Sequence, residues 1–198
     1  CVLASVAPDL TGAFRASAER LFPETLVLDH TTPTGMPIRY SPPSSLGADR
    51  IADALALLDL YGGPACSVDI GTAINIDVVS ANGEYLGGAI APGPGTAADA
   101  LFAHAARLQS LDWRKPEKAL GQSTDGCLRS GCILGYGGLV EHLVKLLEAE
   151  AGPFKAVVAT GGAAELLAPA CPSIREVRPA LTLEGLFAAW RRTRPAAR

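Results

Sequence analysis

The stretch Ala65–Gly93 constrains the fold more than any other part of the chain. It reads as a strand (Cys66–Ile70), a tight Gly71-Thr72 turn, a strand (Ile74–Ser80), an Asn82-Gly83 turn and a strand (Tyr85–Ala91). Apolar runs broken by turn residues at this spacing are the pattern of adjacent antiparallel strands. Asn-Gly between two such runs predicts a type I′ hairpin, because both residues accept a positive φ. A meander of three strands follows, with Asp69-Ile70-Gly71-Thr72 at its first turn.

Around that meander, strands and helices alternate. Val2–Val6 reads as a buried strand already under way, followed by a helix carrying Leu10, Phe14, Ala18 and Leu21 and ending at Pro23, then a short strand Thr25–Leu28. The segment His30–Leu46 holds Pro33, Gly35, Pro37, Pro42 and Pro43, too many breakers for a helix, and is expected to be a surface or site-lining loop. Asp49 opens a helix to about Tyr61, with Ile51, Leu55 and Leu58 on one face and Gly62-Gly63-Pro64 stopping it. Thr96 is expected to cap a helix carrying Ala100, Leu101, Ala105 and Leu108, followed by a polar loop Gln109–Gly121. A long helix from about Ser123 to Ala149 is next, then a strand Ala156–Ala159 running into Thr160-Gly161-Gly162 and a short helix to Leu167. A strand near Ile174–Val177 and a last helix from Thr182 to Arg191 complete the order.

Composition narrows the function classes. With 48% hydrophobic and 19% charged residues, the 198-residue chain can bury a real core, as one domain or a domain and a half. A net charge of −3, with no basic run longer than Arg191-Arg192, argues against a general nucleic-acid binder, which must neutralise phosphates with clustered cations. No stretch approaches the ~20 apolar residues that a membrane span needs, and no signal-peptide pattern opens the chain, so a cytoplasmic protein is expected. The odd cysteine count (Cys1, Cys66, Cys127, Cys132, Cys171), without a CxxC pair, argues against disulfides and structural zinc.

Two places carry chemistry. Asp69-Ile70-Gly71-Thr72 sits where a strand turns tightly, so glycine lets backbone approach an anion, the threonine hydroxyl can bond phosphate oxygens and the carboxylate can hold a cation. Taken alone, such a string is often a plain turn. Gly47-Ala48-Asp49-Arg50 stands at a helix N-terminus, where free N–H groups and partial positive charge favour an acidic side chain, and simple capping would equally explain Asp49.

A meander entered through Asp69-Ile70-Gly71-Thr72, with a later strand ending in Ala159-Thr160-Gly161-Gly162, resembles the actin-like and sugar-kinase superfamily. The longer string Gly35-Met36-Pro37-Ile38-Arg39-Tyr40, Gly47-Ala48-Asp49-Arg50, Asp69-Ile70-Gly71-Thr72-Ala73 and Gly87 to Gly93 is similar to type III pantothenate kinase. Gly121-Gln122-Ser123-Thr124 and the segments from Ser130-Gly131 to Gly135-Tyr136 extend that likeness over the whole chain.

The resemblance implies an α/β, actin-like (ribonuclease H-like) ATPase fold, a mixed sheet with helices on both faces. Residues 1–63 would be the remainder of a first domain and 64–198 a complete second one. It implies ATP-dependent phosphorylation of pantothenate to 4′-phosphopantothenate, the first step of coenzyme A biosynthesis. Asp49 would accept the hydroxyl proton, with Tyr40, Gly47, Ala48, Arg50 and Thr124 holding pantothenate. Gly71, Thr72, Gly161 and Gly162 would contact ATP, and Asp69 a monovalent cation, K+ or NH4+, with Mg2+ accompanying the nucleotide. Asp49 and Asp69 would then converge on one cleft. A homodimer is also implied, and neither a nucleic-acid partner nor a membrane.

Two departures accompany the likeness. Ile74 and Asn75 stand where the family usually has threonines, removing two hydroxyls that could touch phosphate. The family's N-terminal strands and first phosphate loop are not in this sequence, so a truncated enzyme with impaired turnover is expected, against a split kinase or a non-catalytic Bvg-accessory-factor-like protein as alternatives. Another small-molecule kinase of the superfamily is a third reading, against which the pairing of Gly47-Ala48-Asp49-Arg50 with Tyr40 speaks.

Overall fold

The computed structural model describes residues 1–105, 108 and 110–194, so Gln109 of the expected polar loop lies outside the described residues. The elements are β1 (Val2–Leu3), α1 (Pro8–Leu21), β2 (Leu26–Val27), α2 (Ala48–Leu60), β3 (Ala65–Ile70), β4 (Ala73–Val79), β5 (Tyr85–Pro92), α3 (Pro94–His104), α4 (Thr124–Arg129), α5 (Gly135–Ala151), β6 (Ala156–Thr160), α6 (Ala164–Leu167), β7 (Glu176–Val177) and α7 (Leu181–Arg192). β1 and β2 pair in parallel, and the larger sheet has the order β5-β4-β3-β6-β7. The connections within β3-β4-β5 are too short for parallel crossovers, whereas β6 and β7 are parallel, so the sheet is mixed and flanked by helices.

The chain divides into two compact units: residues 1–66, 77–87 and 180–198, and residues 67–76 and 88–179. In the first, α2 is buried nearly all round, from Ala48 through Leu57 apart from the half-buried Asp49, and not on one face as its Ile-Leu spacing suggests. Its alanines explain this, since small apolar residues on every face allow a helix to be enclosed. α7 packs against it so closely that a methyl group on Gly185 would strike the backbone of Ala52, and Asp59 ties the end of α2 to Arg191 and Arg192. Around α1 only Ala18 is buried, and Leu10, Phe14 and Leu21 stay exposed.

In the second unit the core is Val68, Ile70, Ile74, Ile76, Ile133, Val140, Val144 and Val157–Ala159, and β6 and β7 are in register at Val158 with Glu176. Glu141 on α5 accepts the Ser173 N–H at 2.8 Å and pairs with Lys145 at 3.0 Å. Burial pushes its carboxyl up, but these donors and the Cys171 thiol outweigh that and hold it at about 2.

Several expected boundaries and turns are corrected. The loop after β4 is not type I′, because Asn82 keeps a negative φ and only Gly83 (φ 78°) is left-handed. Gly83 N–H reaches the Ser80 carbonyl and Ser80 N–H the Glu84 carbonyl, which makes a three-residue loop of a β-turn followed by a left-handed glycine. Ser80 Oγ, by accepting the N–H groups of Asn82 and Glu84, favours this form. α3 is capped by Gly93 with Pro94 in its first turn, and the Thr96 hydroxyl instead donates to the Thr72 carbonyl at 2.7 Å. The long helix is interrupted by a π-helical stretch, Ser130–Leu134, between α4 and α5 in a glycine-rich sequence of weak helix propensity. The strands β1, β2 and β7 are shorter than the spans expected for them.

Candidate functional site

In the first unit the residues singled out from the sequence gather at the start of α2. Gly47 is the N-cap, and Asp49 lies in the first turn, where its Oδ1 accepts the N–H of Arg50 at 2.8 Å. A Cβ on Gly47 would collide with Asp49 Oδ1, so the missing side chain leaves room for that carboxylate. Ala48, next to it in the chain, is buried.

Arg50 is the unexpected member. Only 7% exposed, it turns inward and donates from Nε to Asp77 Oδ1 at 2.8 Å, with Nη2 2.7 Å from the same oxygen. The Tyr85 hydroxyl donates to that oxygen too, at 2.6 Å. The guanidinium carbon lies 5.7 Å from the centre of the Tyr40 ring and 6.0 Å from that of Tyr85, and the two rings meet edge to face. Burial pushes the Asp77 carboxyl up against the opposing pull of Arg50. Burial also lowers the guanidinium's proton affinity, but Asp77 more than restores it, and Arg50 stays charged. Burial and the adjacent Asp77 push the Tyr85 phenol far up, so it remains a donor.

Asp77 and Tyr85 were not singled out from the sequence. The available signal was a carboxylate inside the apolar run Ile74–Val79, which needs a buried partner of opposite charge.

In the second unit the two glycine-rich turns come together. Gly161 (φ 91°) faces the end of β3 so tightly that a Cβ there would strike Asp69 Oδ1 and the backbone of Ile70. Ala163 N–H donates to the Ile70 carbonyl at 3.0 Å, which locks the contact. On the other side Gly93 N–H and the Thr96 hydroxyl both donate to the Thr72 carbonyl, so the start of α3 is fixed to the Gly71-Thr72 turn. Gly71, Thr72 and Gly162 are exposed, and Gly162 has open space around its Cα. Asp69 is half-buried at the strand end, a hard oxygen donor in a cradle that any side chain at 161 would fill. Thr124 is exposed at the first position of α4, whose cap is Ser123, accepting the Gly126 N–H at 3.1 Å. Ile74 is fully buried, and Asn75 is half-buried. Among the described residues, no helix is long and apolar enough to cross a membrane.

This fold has a solved counterpart in a structure described as a conserved Baf family transcriptional activator from Campylobacter jejuni, with a TM-score of 0.64 over 96% of this chain and 81% of that one. At 22% identity that likeness shows the fold alone. The mixed sheet flanked by helices, with the two glycine-rich turns facing each other, has the expected actin-like fold. Residues 1–146 match the sequence profile of type III pantothenate kinase. A type III pantothenate kinase of Roseiflexus castenholzii is 49% identical over 187 residues, covering 94% of this chain and 73% of its own length. That of Moorella thermoacetica is 47% identical over 186 residues, with 93% and 73% covered. The chain belongs to the type III pantothenate kinase family.

Proposed function

We propose that this kinase phosphorylates pantothenate to 4′-phosphopantothenate at the expense of ATP, the opening step towards coenzyme A. The observation that carries the reading is the meeting of the Asp69–Thr72 turn with Gly161 in a chain whose relatives bear that enzyme's name. Backbone N–H groups and a hydroxyl in a glycine-lined turn suit the oxygens of a triphosphate, which a side chain at position 161 would crowd. Gly71, Thr72, Gly161 and Gly162 are assigned to ATP.

Phosphoryl transfer through a loose transition state asks the protein for alignment and charge neutralisation more than for covalent chemistry. Asp49 accepts the proton of the substrate hydroxyl, a task within reach of a carboxylate when the proton leaves late. Tyr40, Gly47, Ala48, Arg50 and Thr124 are assigned to pantothenate, Arg50 through its hold on Tyr40 and on the first turn of α2. Asp69 would hold a monovalent cation, and that cation, like Mg2+ on the nucleotide, supplies positive charge next to phosphate oxygens. A homodimer and a cytoplasmic location complete the reading.

The test is ADP release and phosphopantothenate formation by the full chain with pantothenate, ATP and Mg2+, in K+, in NH4+ and without either. Turnover is expected to require the monovalent ion, and Asp49→Asn is expected to lower kcat by about 10²–10⁴-fold, the range of general-base contributions. Asp49→Asn turning over at the wild-type rate would remove the base assignment, and ion-independent turnover the cation assignment.

A further inference from the structure

We infer that Asp77 and Tyr85 are positioning residues for this reaction: together they fix the Arg50 guanidinium and, through it, the turn of α2 that presents Asp49. The inference rests on the proposed function and adds two residues to it.

The geometry is lopsided in a way that stability alone does not explain. Arg50 Nε, Arg50 Nη2 and the Tyr85 hydroxyl all converge on Oδ1 of Asp77, whereas Oδ2 is buried without a hydrogen-bond partner among the described residues. Asp77 is fully buried, and replacing a buried ion pair by apolar side chains of similar volume is often neutral or stabilising. A carboxylate serving only as counter-ion would gain by sharing its donors between both oxygens, since a buried acceptor left unmet is costly. Here the donors are stacked on one oxygen, and the orientation of the guanidinium is fixed instead.

Tyr85 links this clamp to the loop that carries Tyr40. Its N–H donates to the Pro37 carbonyl at 2.9 Å and its carbonyl accepts the Arg39 N–H at 2.8 Å, while its ring borders both Tyr40 and Arg50. Arg50 follows Asp49 directly and donates its own N–H to that carboxylate. The guanidinium held by Asp77 tethers the first turn of α2, so releasing it loosens the turn whose backbone N–H orients Asp49 and withdraws the cation beside Tyr40.

The experiment is a double-mutant cycle in the full chain, with kcat and KM for pantothenate measured per folded molecule and melting followed in parallel. Tyr85→Phe keeps the backbone bonds and the ring, and is expected to fold and to lower kcat/KM about tenfold, the worth of one hydrogen bond to a charged group. Asp77→Asn is expected to lower it by about 10²-fold, the cost of misplacing a reacting group by an ångström. In an Arg50→Gln background, either change is expected to lower kcat/KM by less than about twofold, because each acts through Arg50. Should Asp77→Asn fail to fold, Tyr85→Phe carries the same cycle. A purely structural role would lower the melting temperature and leave kcat/KM of the folded fraction untouched, and that result overturns the inference. Equal losses with and without Arg50 also overturn it. If the wild-type chain neither binds nor phosphorylates pantothenate, the functional reading fails first and this inference with it. An active wild type with an unaltered Tyr85→Phe removes the inference alone.

Discussion

With Asp49 as the proposed base, substituting alanine at Gly47 separates the geometry of that base from the stability of the fold. Gly47 has φ −62° and ψ 143°, extended backbone that alanine adopts without strain, and the added methyl would sit 3.4 Å from Val6, an ordinary contact. Its one collision is with Asp49 Oδ1. The carboxylate must withdraw by about 1 Å, and a shift of that size costs about 10²-fold in rate. At ~1.36 kcal/mol per decade, this is roughly 2.7 kcal/mol of transition-state stabilisation. The fold changes little: alanine is a poorer N-cap than glycine by about 1 kcal/mol, but it also restricts the unfolded chain by about 0.4–1 kcal/mol, and the two nearly cancel. Steady-state ADP release at saturating ATP, with pantothenate varied, should show the loss in kcat while the thermal melt stays close to that of wild type. A Gly47→Ala enzyme with wild-type kcat would refute the reasoning, and so would a rate loss fully matched by a lower folded fraction.

Two further outcomes follow from the second unit. Gly161→Ala forces a left-handed backbone (φ 91°) and a methyl against Asp69 and Ile70, so it should destabilise the chain by roughly 1–3 kcal/mol and raise KM for ATP, read by melting and by kinetics. Glu141 titrates near 2 in the folded chain, below its ordinary 4.5, so its contribution is complete above about pH 4.5 and vanishes as the pH falls through 2. Glu141→Gln should therefore cost roughly 1.5–3 kcal/mol in urea unfolding at pH 7, with the gap to wild type closing in acid. A gap of constant size would show that the charge is not what anchors Ser173.

What could be read in the sequence, and what could not, follows from the range of the interactions involved. β3, β4 and β5 fell within a residue or two of their expected ends because alternation and turn chemistry are local. That Asp69-Ile70-Gly71-Thr72 and Ala159-Thr160-Gly161-Gly162 form an ordered pair of motifs was legible, whereas the packing of Gly161 against Asp69 was not, because it depends on the left-handed turn at 161. The inward turn of Arg50 was not legible: its partner Asp77 lies far along the chain, and an arginine in a first helical turn ordinarily faces water. Thr96 was misassigned for a similar reason, since its hydroxyl serves a carbonyl in a turn that precedes its helix by two strands. Ser80 decided the loop type after β4 through side-chain bonds that the Asn-Gly pair does not advertise.

The embrace of α2 by α7, with Gly185 laid on Ala52, has a consequence for synthesis on the ribosome. The first unit draws residues 1–66 and 77–87 from before most of the second and its remaining segment, from residue 180 on, from after it, so a unit begun before its neighbour is completed only after it. Until residues 180–192 emerge, the helix bearing Asp49 lacks its wall, and a nascent chain should hold that carboxylate without a settled place to use it.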